Sequence, residues 1–157
     1  MCDYSLHGLR NRLAIEGEKL VTLRFVTGAL GLASPWDIAN HARESLPHQR
    51  SWWSAVKRWL DPSVKNDIPA VCIPPGARLL MHSIPNHFQR KLKVRPVEEV
   101  TFVQLSASAY EYRDAIQLGD GRNVILQDVP EGVLFIVLSL VLRESQPEEV
   151  FVPAPAA

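Results

Sequence analysis

Residues 115–128, AIQLGDGRNVILQD, are the part of this 157-residue chain from which the fold class is read most directly. Two short apolar runs, AIQL and NVILQD, flank Gly119-Asp120-Gly121-Arg122. An Asp-Gly step between such runs accepts the positive φ of a tight hairpin, and so predicts two antiparallel strands. Downstream, Pro130-Glu131-Gly132 reads as a further turn and VLFIVLSLVL (133–142) as a final buried strand. Upstream, EVTFVQL (99–105) alternates apolar and polar residues, as a strand does. RLLMH (78–82) and AVCI (70–73) lie on either side of Pro74-Pro75-Gly76, a turn of type II character, and are expected to pair across it. Farther back, KLVTLRFV (19–26) has strand composition and runs into the turn Thr27-Gly28-Ala29-Leu30-Gly31.

The period changes over residues 34–61. Ser34 suits a helix cap, Pro35 the first helical position, and Asp37 stands three residues after the cap as in a shortened capping box. A helix to about residue 45 is expected, interrupted at Pro47, with a second over 51–60 stopped by Asp61-Pro62. Residues 84–92 are ambiguous, and Pro85 and Phe88 point to one short helical turn. Short strands separated by Pro/Gly turns favour a mainly β (or α+β) fold: a small antiparallel β-barrel or sandwich with an inserted helical pair. One domain over 1–146 is expected, and 147–157 reads as a disordered acidic, then Pro/Ala-rich tail.

Composition bounds the function. An apolar content of 46% is enough for a real core. Lys plus Arg and Asp plus Glu number 17 each, so no global field draws in nucleic acid, and weak colloidal repulsion favours self-association or a protein partner. The longest apolar run falls well short of the roughly 20 residues of a membrane helix. With two cysteines, Cys2 and Cys72, and no secretory pattern, a cytoplasmic protein with reduced thiols is expected.

The opening MCDYSLH gathers a thiol, a carboxylate, a phenol, a hydroxyl and an imidazole. Cys2 and His7 are donors that zinc, copper or iron accept; Cys72 offers a second sulfur and Asp3 a supporting carboxylate. Cys-x4-His is not a standard zinc pair, and the same residues also read as a thiol nucleophile, Cys2, beside its base His7. A third reading is structural, with Tyr4 and Leu6 buried and Cys2 filling space. Within Tyr110-Glu111-Tyr112-Arg113-Asp114, Arg113 and Asp114 could orient a carboxylate or phosphate ligand, or simply decorate the loop entering a strand.

Trp52, Trp53, Val56, Trp59 and Leu60 share one face of the second predicted helix, with Arg50, Lys57 and Arg58 on its flanks. That face packs on the barrel, meets a partner or a second copy, or touches a membrane surface peripherally. Among the histidines, His41 and His48 are seven residues apart across Pro47, and His82 and His87 flank Pro85.

MCDYSLH, with Arg12-Leu13-Ala14, Gly17-Glu18-Lys19-Leu20-Val21, Ala70-Val71-Cys72-Ile73-Pro74 and Arg113-Asp114-Ala115-Ile116, resembles an uncharacterised family of small bacterial proteins. The resemblance implies no activity. It does imply histidines just before the Asp-Ala pair, where this chain has Tyr110-Glu111-Tyr112-Arg113. The first expectation is therefore a small binding protein with a metal or small-ligand site at Cys2, His7 and Cys72, supported by Asp3, Arg113 and Asp114. A non-catalytic interaction module using the tryptophan face is the alternative, and a thiol-dependent enzyme a third.

Overall fold

The computed structural model describes residues 8–44, 68–106, 108 and 111–140. Cys2, Asp3, His7, Tyr110, His48, the face of Trp52, Trp53, Val56, Trp59 and Leu60, and the tail lie outside the described residues. The architecture is mostly β. A seven-stranded antiparallel sheet curls into a half-barrel, and a two-stranded parallel pair lies beside it.

In chain order the elements are β1 (Asn11–Leu13), β2 (Lys19–Arg24), β3 (Leu30–Ala33), α1 (Pro35–Glu44), β4 (Ala70–Cys72), β5 (Arg78–His82), α2 (Asn86–Leu92), β6 (Glu98–Gln104), β7 (Asp114–Gln117), β8 (Asn123–Ile125) and β9 (Leu134–Ser139). A 3-10 turn, Leu126–Asp128, follows β8. The large sheet has the order β3-β2-β9-β5-β6-β7-β8, and β1 pairs with β4. Among the described residues no helix is long and apolar enough to cross a membrane.

The expected hairpin forms as β7 and β8, with Ala115 opposite Ile125 and Gln117 opposite Asn123. The Gly121 N–H donates to Leu118 O at 2.9 Å, and Leu118 N donates to Arg122 O at 2.8 Å. Gly121 takes φ +85°, which only glycine adopts without steric cost. Alternation then builds the core. Leu20 of β2, Leu79 and Met81 of β5, Val100 and Phe102 of β6, Ile116 of β7, and Phe135 and Val137 of β9 are all buried in one apolar cluster.

Four readings are corrected. Residues 70–73 and 78–82 do not pair: β4 runs parallel to β1, whereas β5 lies between β6 and β9. The Pro74–Ala77 turn does form, but Gly76 N and Ala77 O are engaged by Phe102, which sends the chain round a corner rather than back on itself. Second, 30–33 is strand β3 rather than the end of a turn. All four of its residues are buried, and a strand covered on both faces shows no alternation to read. Third, 84–92 holds a seven-residue helix, docked through Phe88 and Leu92. Fourth, β9 is buried on one face only, and Leu138 is exposed.

Among the described residues the sheet does not close on itself through backbone pairing. Instead Gln127, in the 3-10 turn after β8, reaches the far edge strand β3. Its Nε2 donates to Leu30 O at 2.7 Å, and its Oε1 accepts from Leu30 N at 2.8 Å. One side-chain amide thus stands where a neighbouring strand's peptide group would.

Candidate functional site

The turn between β1 and β2 and the first turn of α1 face each other across a groove of about 700 Å³, a volume within the ordinary range of small-molecule sites. Its base is built around Arg12 of β1. The guanidinium donates from Nη1 to Glu18 Oε2 at 3.1 Å and from Nη2 to Glu18 Oε1 at 2.5 Å. It also donates from Nε and Nη2 to Asp37 Oδ2, at 3.2 and 2.8 Å. One planar fork therefore ties β1, the following turn and α1 together, which is geometry that lysine cannot supply.

Each partner is placed by local structure. Gly17, with φ +81°, allows the tight turn, and its N–H donates to Val137 O at 2.7 Å. Ile15 N then donates to Glu18 Oε2 at 3.0 Å, fixing the carboxylate. At α1, Ser34 is the cap: its Oγ accepts from Trp36 N at 3.2 Å. Asp37 was expected to complete a capping box; its carboxylate turns to Arg12 instead.

Electrostatics follow from this packing. Burial opposes the Glu18 charge, but hydrogen bonds from Arg12 and from Ile15 N outweigh it and hold the carboxyl below its usual range. The hydrogen bond to Glu18 likewise raises the pKa of Arg12 against the cost of burial, with Asp37 adding to the rise. Both carboxylates at the base are thus engaged as acceptors.

The walls are apolar. Ile38, like Leu23 and Val26, packs against the buried cluster that includes Phe25, Ala29 and Ala33, which seats α1 on the sheet. Two residues earlier the helical turn carries Trp36 to the opposite side, where it is 71% exposed. Ile15, across the groove, is 67% exposed, and Pro35 lines the same wall. Lys19 stands at the rim and makes no ion pair among the described residues.

The residues expected to act sit elsewhere or apart. Cys72 is on β4, opposite Leu13 of β1, and Ala14 N donates to its carbonyl at 3.0 Å. The expected reduced thiol is corrected here: Cys72 is disulfide-bonded, and a disulfide sulfur lacks the thiolate charge that binds a metal. The chain's other cysteine, Cys2, is outside the described residues, as are His7 and Asp3. Among the described residues no three His, Cys, Asp or Glu side chains gather as metal donors.

Arg113 and Asp114 lie at the start of β7, with β9, β5 and β6 between that strand and β2. Asp114 is buried, and its Oδ1 accepts from Gln104 Nε2 at 3.1 Å across the β6–β7 ladder. His82 ends β5, a strand unpaired with that of Cys72, and its Nδ1 lies 3.3 Å from Ser83 Oγ.

Sequence reasoning missed Arg12, Ile15, Glu18, Lys19 and Trp36. The available signal was a tryptophan placed just after a helix cap, where it serves neither the cap nor the buried stripe. Comparison with family models, with curated proteins and with solved structures gives no match for this chain.

Proposed function

We propose that this chain is a non-catalytic small-ligand-binding protein whose site is the groove between the β1–β2 turn and α1. The observation that carries this is Trp36. It is a large aromatic ring held out in water on a rigid base, although burying it would release a substantial apolar area. Arg12, Glu18 and Asp37 supply the rigidity and carry one net negative charge between them, with both carboxylates held by Arg12; this leaves Trp36, Ile15 and Pro35 for contact and Lys19 at the rim as the lining charge outside that cluster. The matching ligand is an organic carboxylate with an apolar body: its ring or chain lies on Trp36 and Ile15, and its anionic end meets Lys19.

The test is titration of the full chain with aromatic and aliphatic carboxylates, read by NMR at the Trp36 indole N–H and the Ile15 methyls. Saturable shifts are expected at both. Trp36→Ala should weaken binding by at least about tenfold, which is about 1.4 kcal/mol, and leave the unfolding midpoint nearly unchanged because the ring is not part of the core. Unaltered affinity in Trp36→Ala would reject the reading. So would a variant that leaves carboxylate binding intact but changes sedimentation, since the groove would then be a contact between copies of the chain.

A further inference from the structure

Another hollow lies against α2, far along the chain from the groove. It measures about 490 Å³ and is lined by Asn86, Gln89, Arg90, Lys93 and Val94. Four of these carry side-chain N–H donors, and none is a carboxylate. The chain as a whole is formally neutral, yet residues 87–95 (HFQRKLKVR) hold four Lys and Arg and no acid.

Two neighbouring cations are already compensated. Arg95 Nε donates to Glu98 at 3.2 Å and Arg122 Nε to Asp120 at 2.7 Å. Arg90, Lys91 and Lys93 have no ion pair among the described residues. The α2 terminus that carries them is fixed in place. Phe88 and Leu92 are buried, Gln89 Nε2 donates to Ile84 O at 2.7 Å, and Arg122 Nη2 reaches across to Leu92 O at 2.6 Å.

Helix polarity accounts for Arg90 and Lys91, since cations complement a C-terminal turn. It accounts for the charge of Lys93 as well, but not for its backbone conformation. This residue sits just past the helix with φ 54° and ψ 45°, and its N–H donates to Gln89 O. That left-handed position is normally given to glycine or asparagine, because other side chains are strained there. A lysine kept at a site glycine would fill better, beside an unpaired arginine in a hollow without acid, points to an anion.

We infer that the hollow along α2 is a second binding site, for a phosphate-class anion such as a small phosphate monoester. Arg90 supplies the planar fork that fits two phosphate oxygens, Lys93 supplies a point charge, and the Asn86 amide is a neutral donor. The site is independent of the Trp36 groove and stands whether or not that groove binds carboxylates.

The test uses the full chain, labelled for NMR and titrated with phenyl phosphate and with pyrophosphate at constant ionic strength. Saturable shifts are expected at the Lys93 and Val94 amides. Lys93→Gly is the informative variant because it removes the charge while relieving the backbone: its unfolding midpoint should rise as affinity falls by about tenfold, the loss of one charge-assisted contact. Arg90→Gln should weaken binding at least as much. Lys93→Gly binding like the parent chain overturns the inference, as do shifts that chloride reproduces at matched ionic strength. A response to single-stranded oligonucleotide or to phosphatidic acid vesicles, with none to either small probe, also overturns it.

Discussion

At Glu18 a single carboxylate serves both the fold and the groove. Its side chain accepts from Arg12 and from Ile15 N, so ionisation is favoured in the folded state and its pKa lies below the usual range. A group with a depressed folded pKa contributes stability above its unfolded pKa and loses that contribution as pH falls through the folded one. Stability should therefore decline as the pH drops through and below about 4, the ordinary glutamate range. At neutral pH, Glu18→Gln should cost about 1 kcal/mol, a charged hydrogen bond discounted for partial exposure. Urea midpoints of the two proteins, measured across pH, should converge on the acid side. A gap that stays constant down to the lowest pH would show that the Glu18 charge is not what matters.

The β7–β8 hairpin is the element whose formation is most local. Its two strands are joined by a turn with Gly121 at φ +85°, and a Cβ built there meets no atom within 4 Å. Gly121→Ala thus carries the backbone cost alone, about 1 kcal/mol. Lys93, just past α2, is the mirror case, where adding glycine should stabilise. The two substitutions together check a single physical quantity, the cost of a left-handed residue. Denaturant midpoints moving in opposite directions are the expected outcome, and equal movement in one direction would disprove the argument. Local chemistry of this kind was legible beforehand. The Asp-Gly turn, the alternation of 99–105 and the Ser34-Pro35 helix start all appear where residue type and spacing put them.

For the molecule as a whole, the open edge of the half-barrel is the sensitive place. Gln127 bridges it to Leu30 from 97 positions along the chain, and Leu30 is 1% exposed. Gln127→Ala strands a buried N–H and a buried carbonyl together, and one such group costs about 1–3 kcal/mol. We expect a loss in that range by urea unfolding. We also expect faster hydrogen exchange at the Leu30 amide than at amides of β5, in the middle of the sheet. Exchange at Leu30 as slow as in the parent would mean that the bridge holds nothing. Thr22 pins the same end of the sheet: its buried Oγ1 donates to Pro130 O at 2.7 Å and accepts from Val133 N at 2.9 Å.

What could be read from residue order was whatever is settled within a few positions. Turns, helix starts and half-buried strands write their period and their Pro, Gly and Asp residues into the local sequence, and so the β class and most of the large sheet were visible. What could not be read depends on partners distant in sequence. Strand β3 lost its alternation because both faces are covered, and β1 is three residues long and owes its existence to β4. Strands β4 and β5 separated because β6 took the turn between them. The groove is the clearest instance. Arg12 meets Asp37 across 25 positions, and neither residue carries any local mark of the other. Only when β1 and α1 are packed together do an ion-paired base and an exposed tryptophan become one site, because side-chain convergence is a property of the packed chain rather than of spacing.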